Sequence, residues 1–342
     1  MVENRAVNIS IIFIAIVVLG IVLKTFESFL RPFAIALILT FLLMPLIRWS
    51  RKKKIPFSVS IIAVVLILVI FMGLIVGLLA REVSKMSKTL PEQQEKIDNL
   101  IDNTQAILTD FEVYGEKIDL KTVIDPQKVG EIVSSILKSI LHTAGAIISE
   151  LFLAILFVIF LLPSHELMIR NIDKGLDGHV SKKFKSVLLK TEGSIKTYLY
   201  TKSLVSFGTA FVSALLLLVF GADFVFILAL TIFIMNFIPN IGSIIAVGIA
   251  AFSHFLTVGF GLELVALGVL LIIVQMVFGN IIDPKITGQK LKLSPIVILM
   301  SLFIWYWVWG IVGMMLAVPI TSIIKIIMDH IESTRRYTSY LT

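Results

Sequence analysis

The sequence predicts an all-α polytopic membrane protein: about eight transmembrane helices, a C-terminal re-entrant helical hairpin and an extracytoplasmic helical segment. Three observations predict it. Mean hydropathy is +1.00, and of 342 residues 58% are hydrophobic and only 15% charged, a balance that soluble domains do not show. Apolar runs long enough to cross about 30 Å of hydrocarbon recur along the chain. Lysine and arginine gather in the segments beside those runs, so the net charge of +7 reads as orientation in a bilayer and not as a nucleic-acid surface. There is no cysteine, which removes disulfides and thiolate metal sites and leaves the redox compartment unread.

Residues 1–80 hold three spans. The first, 6–23, follows a single arginine and has no small-x-small cleavage site, so it reads as an uncleaved span. Val2 and the terminus Ser339-Tyr340-Leu341-Thr342 match no lipidation motif. A short loop with Lys24, Glu27 and Arg31 leads into the second span, 32–47. Arg48, Arg51, Lys52, Lys53 and Lys54 form the densest basic cluster, which holds its loop, and with it the N-terminus, on the cytoplasmic side. The same cluster has a second reading as an anionic-lipid contact. The third span, 57–80, delivers the chain to the outer face.

Residues 81–142 are polar and carry 8 Lys/Arg against 11 Asp/Glu, which fits an extracytoplasmic segment. Met86, Leu90, Gln93, Ile97, Leu100, Thr104, Ile107 and Phe111 repeat at alternating spacings of four and three, a heptad seam with two polar positions. A second helix is expected after Asp125, with Pro126 at its first position, burying Val129, Ile132, Val133, Ile136, Leu137 and Ile140. These helices can pair with each other, lie on the membrane, or join copies of the chain through 83–111 as a homo-oligomer.

The fourth span, 143–162, carries Glu150 within its apolar run. An ionisable group at such depth is a proton or cation site by default; the alternatives are a place near the outer headgroups or a cap on a bundle contact. Residues 163–202 read as a basic, cytoplasmic amphipathic helix. His165 and His179 are too far apart for a helical metal pair, so no metal site is expected.

From 203 to 328 the chain is a dense membrane block, followed by a cytoplasmic tail, 329–342. Spans run 203–220, 224–238, 241–255 and 262–282. Asn236, Pro239, Asn240, Gly242 and Ser243 interrupt the helix pattern between the middle two. The stretch from Leu293 to Ile327 is too long for one crossing and too short for two, and basic residues flank it on both sides. It reads as helices 293–307 and 311–327 joined by a turn from Gly310 to Gly313, with Pro319 in the second; one long kinked helix is the alternative. Broken apolar segments aim backbone donors, carbonyls and helix dipoles inward, and they are the best sequence pointer to a transport site. The expected pathway therefore comprises Asn236, Pro239, Asn240, Gly242, Ser243, Gln275, Asn280, Gly310, Gly313 and Pro319. Asp283 and Glu150 are the expected ion or proton coupling groups. The same amides also serve as glue between helices. Trp305, Tyr306, Trp307 and Trp309 suit either stacking on a sugar-like ring or an interfacial aromatic belt.

The tract Thr197-Tyr198-Leu199, the run from Asn236 to Gly242, Asp283-Pro284-Lys285-Ile286-Thr287-Gly288, Leu293-Ser294-Pro295, Gly310-Ile311-Val312-Gly313 and Ala317-Val318-Pro319 together resemble the autoinducer-2 exporter family, also called PerM-like proteins. The likeness covers about 190–325. The chain departs from that pattern at Tyr200-Thr201-Lys202, where a glycine-glutamine pair is common, and at the aromatic cluster before Gly310. The resemblance implies transport of small solutes across the bacterial inner membrane, with autoinducer-2 export and sodium or lithium/proton exchange both within the family's range. An oligomeric, uncoupled channel is the third class. No Gly-x-Ser-x-Gly, His-Glu-x-x-His or Walker motif occurs, which speaks against an enzyme or a nucleotide-driven pump. The expected partners are the lipid bilayer and a small polar solute or a monovalent cation or proton, with no cofactor and no nucleic acid.

Overall fold

The computed structural model describes residues 2–108, 112–113, 116–117, 135, 145–146, 148–164, 167, 178–287, 293–331 and 338, with the backbone alone for 2–6, 8–9, 83, 85–108, 112–113, 116–117, 178–185 and 287. The side chains of the heptad seam, the helix expected after Asp125, and His165 lie outside the described residues. The helices are α1 (Val2–Thr25), α2 (Glu27–Lys52), α3 (Phe57–Leu108), α4 (Ile148–Ser164), α5 (Gly178–Val219), α6 (Val225–Met235), α7 (Ile241–Val258), α8 (Leu262–Met276), one π-helical turn (Val277–Ile282), α9 (Asp283–Thr287) and α10 (Pro295–His330). Two strands of two residues pair antiparallel, Glu112 opposite Lys117 and Val113 opposite Glu116. Helix dominates because hydrocarbon offers no partner to a peptide group, and a helix satisfies its own.

Among the described residues six helices are long and apolar enough to cross a membrane. The expected spans 6–23 and 143–162 show as the shorter apolar helices Ser10–Thr25 and Ile148–Ser164, and the expected span 224–238 is not one of the six either. Its helix, α6, has 11 residues and rises only about 16 Å, roughly half of the hydrocarbon thickness. It is one arm of a hairpin with α7. Two expected boundaries also vanish into continuous helices: α3 runs on past Ala80, and α5 runs across Lys202 from the amphipathic stretch into the apolar one.

The chain forms two compact units: one of residues 1–69, 150–201 and 287–342, the other of 70–149 and 202–286. In the first, α2 is the central element. Ile38 and Phe41 on one face meet Ile195, Tyr198 and Leu199 of α5 and Val308, Trp309, Leu316 and Val318 of α10. Ala36, Met44 and Ile47 on another face meet Val64 of α3 and Ala154, Val158 and Leu162 of α4. Each end of α2 is also tied by charge: Arg31 pairs with Glu150 of α4, and Arg48 reaches Glu192 of α5 at 2.7 Å.

Helix α10 starts with Ser294 as cap, its hydroxyl accepting from the Val297 N–H at 3.4 Å, and Pro295 in the first turn. It breaks at Trp309 (φ −133°, ψ 19°) and Gly310 (φ 61°, ψ −143°). Eight residues of straight helix would hold Trp305 and Gly313 about 12 Å apart. Instead a Cβ on Gly313 would overlap the Trp305 carbonyl, so the chain reverses there and the single long helix is excluded. The aromatic residues at this turn act as a latch. The Trp309 indole N–H donates to the Leu23 carbonyl at 3.1 Å, and the Lys24 ammonium sits 4.7 Å from the Trp307 ring centroid, fixing the end of α1.

In the second unit Ala210 and Leu217 of α5, Leu228 and Ile232 of α6, Ala246 and Ala250 of α7, and Leu267 and Leu271 of α8 form the core. Gly242, Ala246, Ala250 and His254 make one buried stripe on α7, the small residues letting its backbone approach its neighbours.

Removing one partner of a part-buried pair leaves the other charge without it, at a cost below the roughly 3–5 kcal/mol of a fully buried pair. We therefore expect Arg31→Gln to lower the thermal unfolding temperature of the protein in lipid, and Arg31→Leu combined with Glu150→Leu to restore most of it, as followed by circular dichroism. Equal loss in both would show that the pair does not hold α2 to α4.

Candidate functional site

The break between α6 and α7 is built by backbone chemistry. Pro239 cannot donate a hydrogen bond, which ends the α6 arm, and the Ile241 N–H donates to the Pro239 carbonyl at 2.7 Å. Asn240 between them has φ 59° and ψ −52°, the geometry of a strained γ-turn. Ser243 donates to the Asn240 carbonyl at 2.9 Å. Gly242 then packs so close to the Met235 carbonyl that a Cβ would overlap it.

Facing this break is a polar seam on α5. Lys202, Ser206, Thr209 and Ser213 are all buried, and their spacings of four, three and four place them on one face. The seam is about 16 Å long by helix rise. The Asn236 amide, buried at the end of α6, donates to the Ser206 hydroxyl at 3.1 Å and lies 3.5 Å from the Thr209 hydroxyl. Thr209 turns its own proton to the Val205 carbonyl at 2.8 Å, so it presents lone pairs to Asn236. The Ser213 hydroxyl and the Gln275 amide nitrogen are buried without a hydrogen-bond partner among the described residues. At the other end the Lys202 ammonium pairs with Asp283 at 2.9 Å, with the two side chains 10% and 21% exposed. The π-helical turn just before Asp283 widens the backbone there, and Gly208 makes room for the ring of Phe278 from that turn.

The sequence-predicted residues separate accordingly. Asn236 and Gly242 are buried within the second unit, Gln275 lies on α8, and Asn280 is an exposed residue of the π-helical turn. Pro239, Asn240 and Ser243 shape the turn, with Asn240 exposed. Gly310, Gly313 and Pro319 belong to the first unit, where Gly310 supplies the positive φ, Gly313 the close approach, and Pro319 is buried within the second arm. Asp283 and Glu150 each hold a cation of the protein, Lys202 and Arg31. Lys202, Ser206, Thr209 and Ser213 were not among the expected site residues. Their signal was available: four of the five polar residues in 202–213 stand at helical spacing in a mostly apolar run, beginning where the chain departs from the glycine-glutamine pattern.

A multi-pass helical membrane protein with broken helices and an internal polar seam belongs to the transporters. Residues 11–333 match the AI-2E family transporter profile, and the chain is a member of that family. Among its relatives, a putative transport protein of Haemophilus influenzae is 28% identical over 333 residues, covering 96% of this chain and 94% of its own. The AI-2 transport protein TqsA of Escherichia coli K12 is 28% identical over 305 residues, covering 87% and 85%. A putative transport protein of Borreliella burgdorferi is 29% identical, covering 96% and 90%.

Two outcomes check this geometry. Glycine adopts the Asn240 conformation without a Cβ clash, so Asn240→Gly should preserve or raise the unfolding temperature, while Asn240→Val should lower stability by about 1–3 kcal/mol. Lys202→Met should destabilise the protein more than Lys202→Met combined with Asp283→Leu, because only the single variant takes the ammonium away from a part-buried carboxylate.

Proposed function

We propose that this protein is a secondary transporter of the bacterial inner membrane that exports a small, polar solute without net charge, of the autoinducer-2 type. The termini are placed on the cytoplasmic side, and the solute passes along the seam of Ser206, Thr209, Ser213, Asn236 and Gln275. The observation that carries this reading is the charge balance of the seam. Its hydroxyls and amides can exchange hydrogen bonds with a polyhydroxylated solute, whereas its only charges, Lys202 and Asp283, neutralise each other. An anionic or cationic solute would have to displace one member of that pair. The name of the Escherichia coli relative, an AI-2 transport protein, supports the substrate class. The lack of a nucleotide-binding motif favours movement along a gradient.

Proteoliposomes holding the purified full chain test it. Labelled autoinducer-2 should cross at a protein-dependent rate that unlabelled solute competes. Asn236→Ala should reduce the flux about tenfold, the loss of roughly one buried hydrogen bond's worth of binding, while Asn240→Gly, which preserves the turn, should leave it near wild type. Flux unaffected by Asn236→Ala would remove the seam from the pathway. Sodium- or lithium-driven proton movement with no organic solute flux would replace the exporter with a cation/proton antiporter.

A further inference from the structure

The second unit holds one ionisable side chain that neither the seam nor the core explains. His254 is fully buried, yet both of its ring nitrogens lack a hydrogen-bond partner among the described residues. A neutral imidazole always carries one donor and one acceptor, and stranding them in an apolar interior is costly. It occupies the fourth position of the α7 stripe whose other members are Gly242, Ala246 and Ala250. Small apolar residues suit that stripe, and a histidine there needs a reason.

Its surroundings supply one. The Phe220 ring at the end of α5 stands edge-on to the imidazole at 6.3 Å between centroids, closing it off with apolar surface. Across the three-residue connection from α7 to α8, Glu263 in the first turn of α8 brings a carboxylate oxygen to 3.9 Å from Nε2. The Glu263 side chain is 53% exposed, so this carboxylate joins the buried ring to the protein surface. One turn along α7, Thr257 donates toward Asp223 of the α5–α6 connection at 3.4 Å. These are the charged groups that α8 and the α5–α6 connection bring to this end of α7. Between Lys202 and Lys285 the chain contains no lysine or arginine but three acids, Asp223, Glu263 and Asp283. Asp283 has Lys202. No lysine or arginine of this block is available to Glu263, and His254 is the one side chain there that can become a cation.

We infer that His254 and Glu263 form a proton-binding site, in which the imidazole takes up a proton from water by way of the Glu263 carboxylate and is held as imidazolium against it. One proton enters, the ring gains one positive charge, and the carboxylate balances it. A metal ion is the poorer occupant, since no third histidine, aspartate or glutamate among the described residues completes a ligand set. The site stands apart from the seam, so its occupancy by a proton does not depend on which solute the protein moves.

Ring-nitrogen NMR on the full-length protein in lipid vesicles tests it. His142, His165, His179 and His330 are replaced by asparagine, so that His254 itself is untouched and gives the remaining signal. As the pH is lowered that signal should pass from neutral imidazole to imidazolium. Glu263→Gln should lower the ratio of charged to neutral ring at a fixed pH about tenfold, and Asp223→Asn should lower it less. A ring that stays neutral throughout, as a merely packed histidine would, overturns the proposal. So does a ratio indifferent to Glu263→Gln, or one more sensitive to Asp223→Asn. The same titration on wild type with only Glu263 substituted, read by difference, repeats the test without the four asparagines.

Discussion

A peptide group that leaves a helix inside hydrocarbon must find its partner within the protein, and this requirement shapes both hairpins. Each has a short arm, a residue at positive φ, and a glycine lodged against a carbonyl of the arm before it: Asn240 and Gly242 over Met235, Gly310 and Gly313 over Trp305. The short arms reach about 16 and 21 Å by helix rise, less than the hydrocarbon thickness. The reversal brings backbone so close that any Cβ at the glycine would open it. The price of such a turn is local strain, visible at Asn240, and the neighbouring packing must hold it in place.

Charge within the apolar layers follows a similar economy. Glu150 and Asp283 are the expected coupling groups, since a lone carboxylate at depth is unstable, and each meets a cation from a helix far away in sequence, Arg31 or Lys202. These pairs do structural work by specifying which helices meet. Beyond the Lys202–Asp283 pair, the seam on α5 presents hydroxyls and meets the Asn236 amide. His254 stands outside this pairing by fixed charge: it is buried with both ring nitrogens unpartnered among the described residues and the Glu263 carboxylate 3.9 Å away.

The aromatic tract before Gly310 shows how context chooses among uses that residue type alone leaves open. Stacking on a solute and residence in an interfacial belt were both reasonable for Trp305, Tyr306, Trp307 and Trp309. The structure uses Trp309 to satisfy the Leu23 carbonyl at the end of α1, one of the acceptors that every helix terminus leaves open. Trp307 takes the neighbouring Lys24 ammonium on its ring face. A glycine-rich tract at the same place would leave α1 without this latch.

The sequence by itself determined the all-α membrane class, the places of the two breaks and the presence of Asn236 and Asp283 near them. Hydropathy, proline and glycine act locally, so they can be read without knowing what packs where. It also held the seam in the spacing of Lys202, Ser206, Thr209 and Ser213, a helical pattern obscured by the expected boundary at Lys202. Only the tertiary structure decided that α6 is half a span, that Glu150 and Asp283 are compensated, and that His254 is buried beside Glu263. Each of those depends on a meeting between residues distant in the chain, or on the direction the backbone takes after a break, and neither is encoded in the periodicity of a single segment.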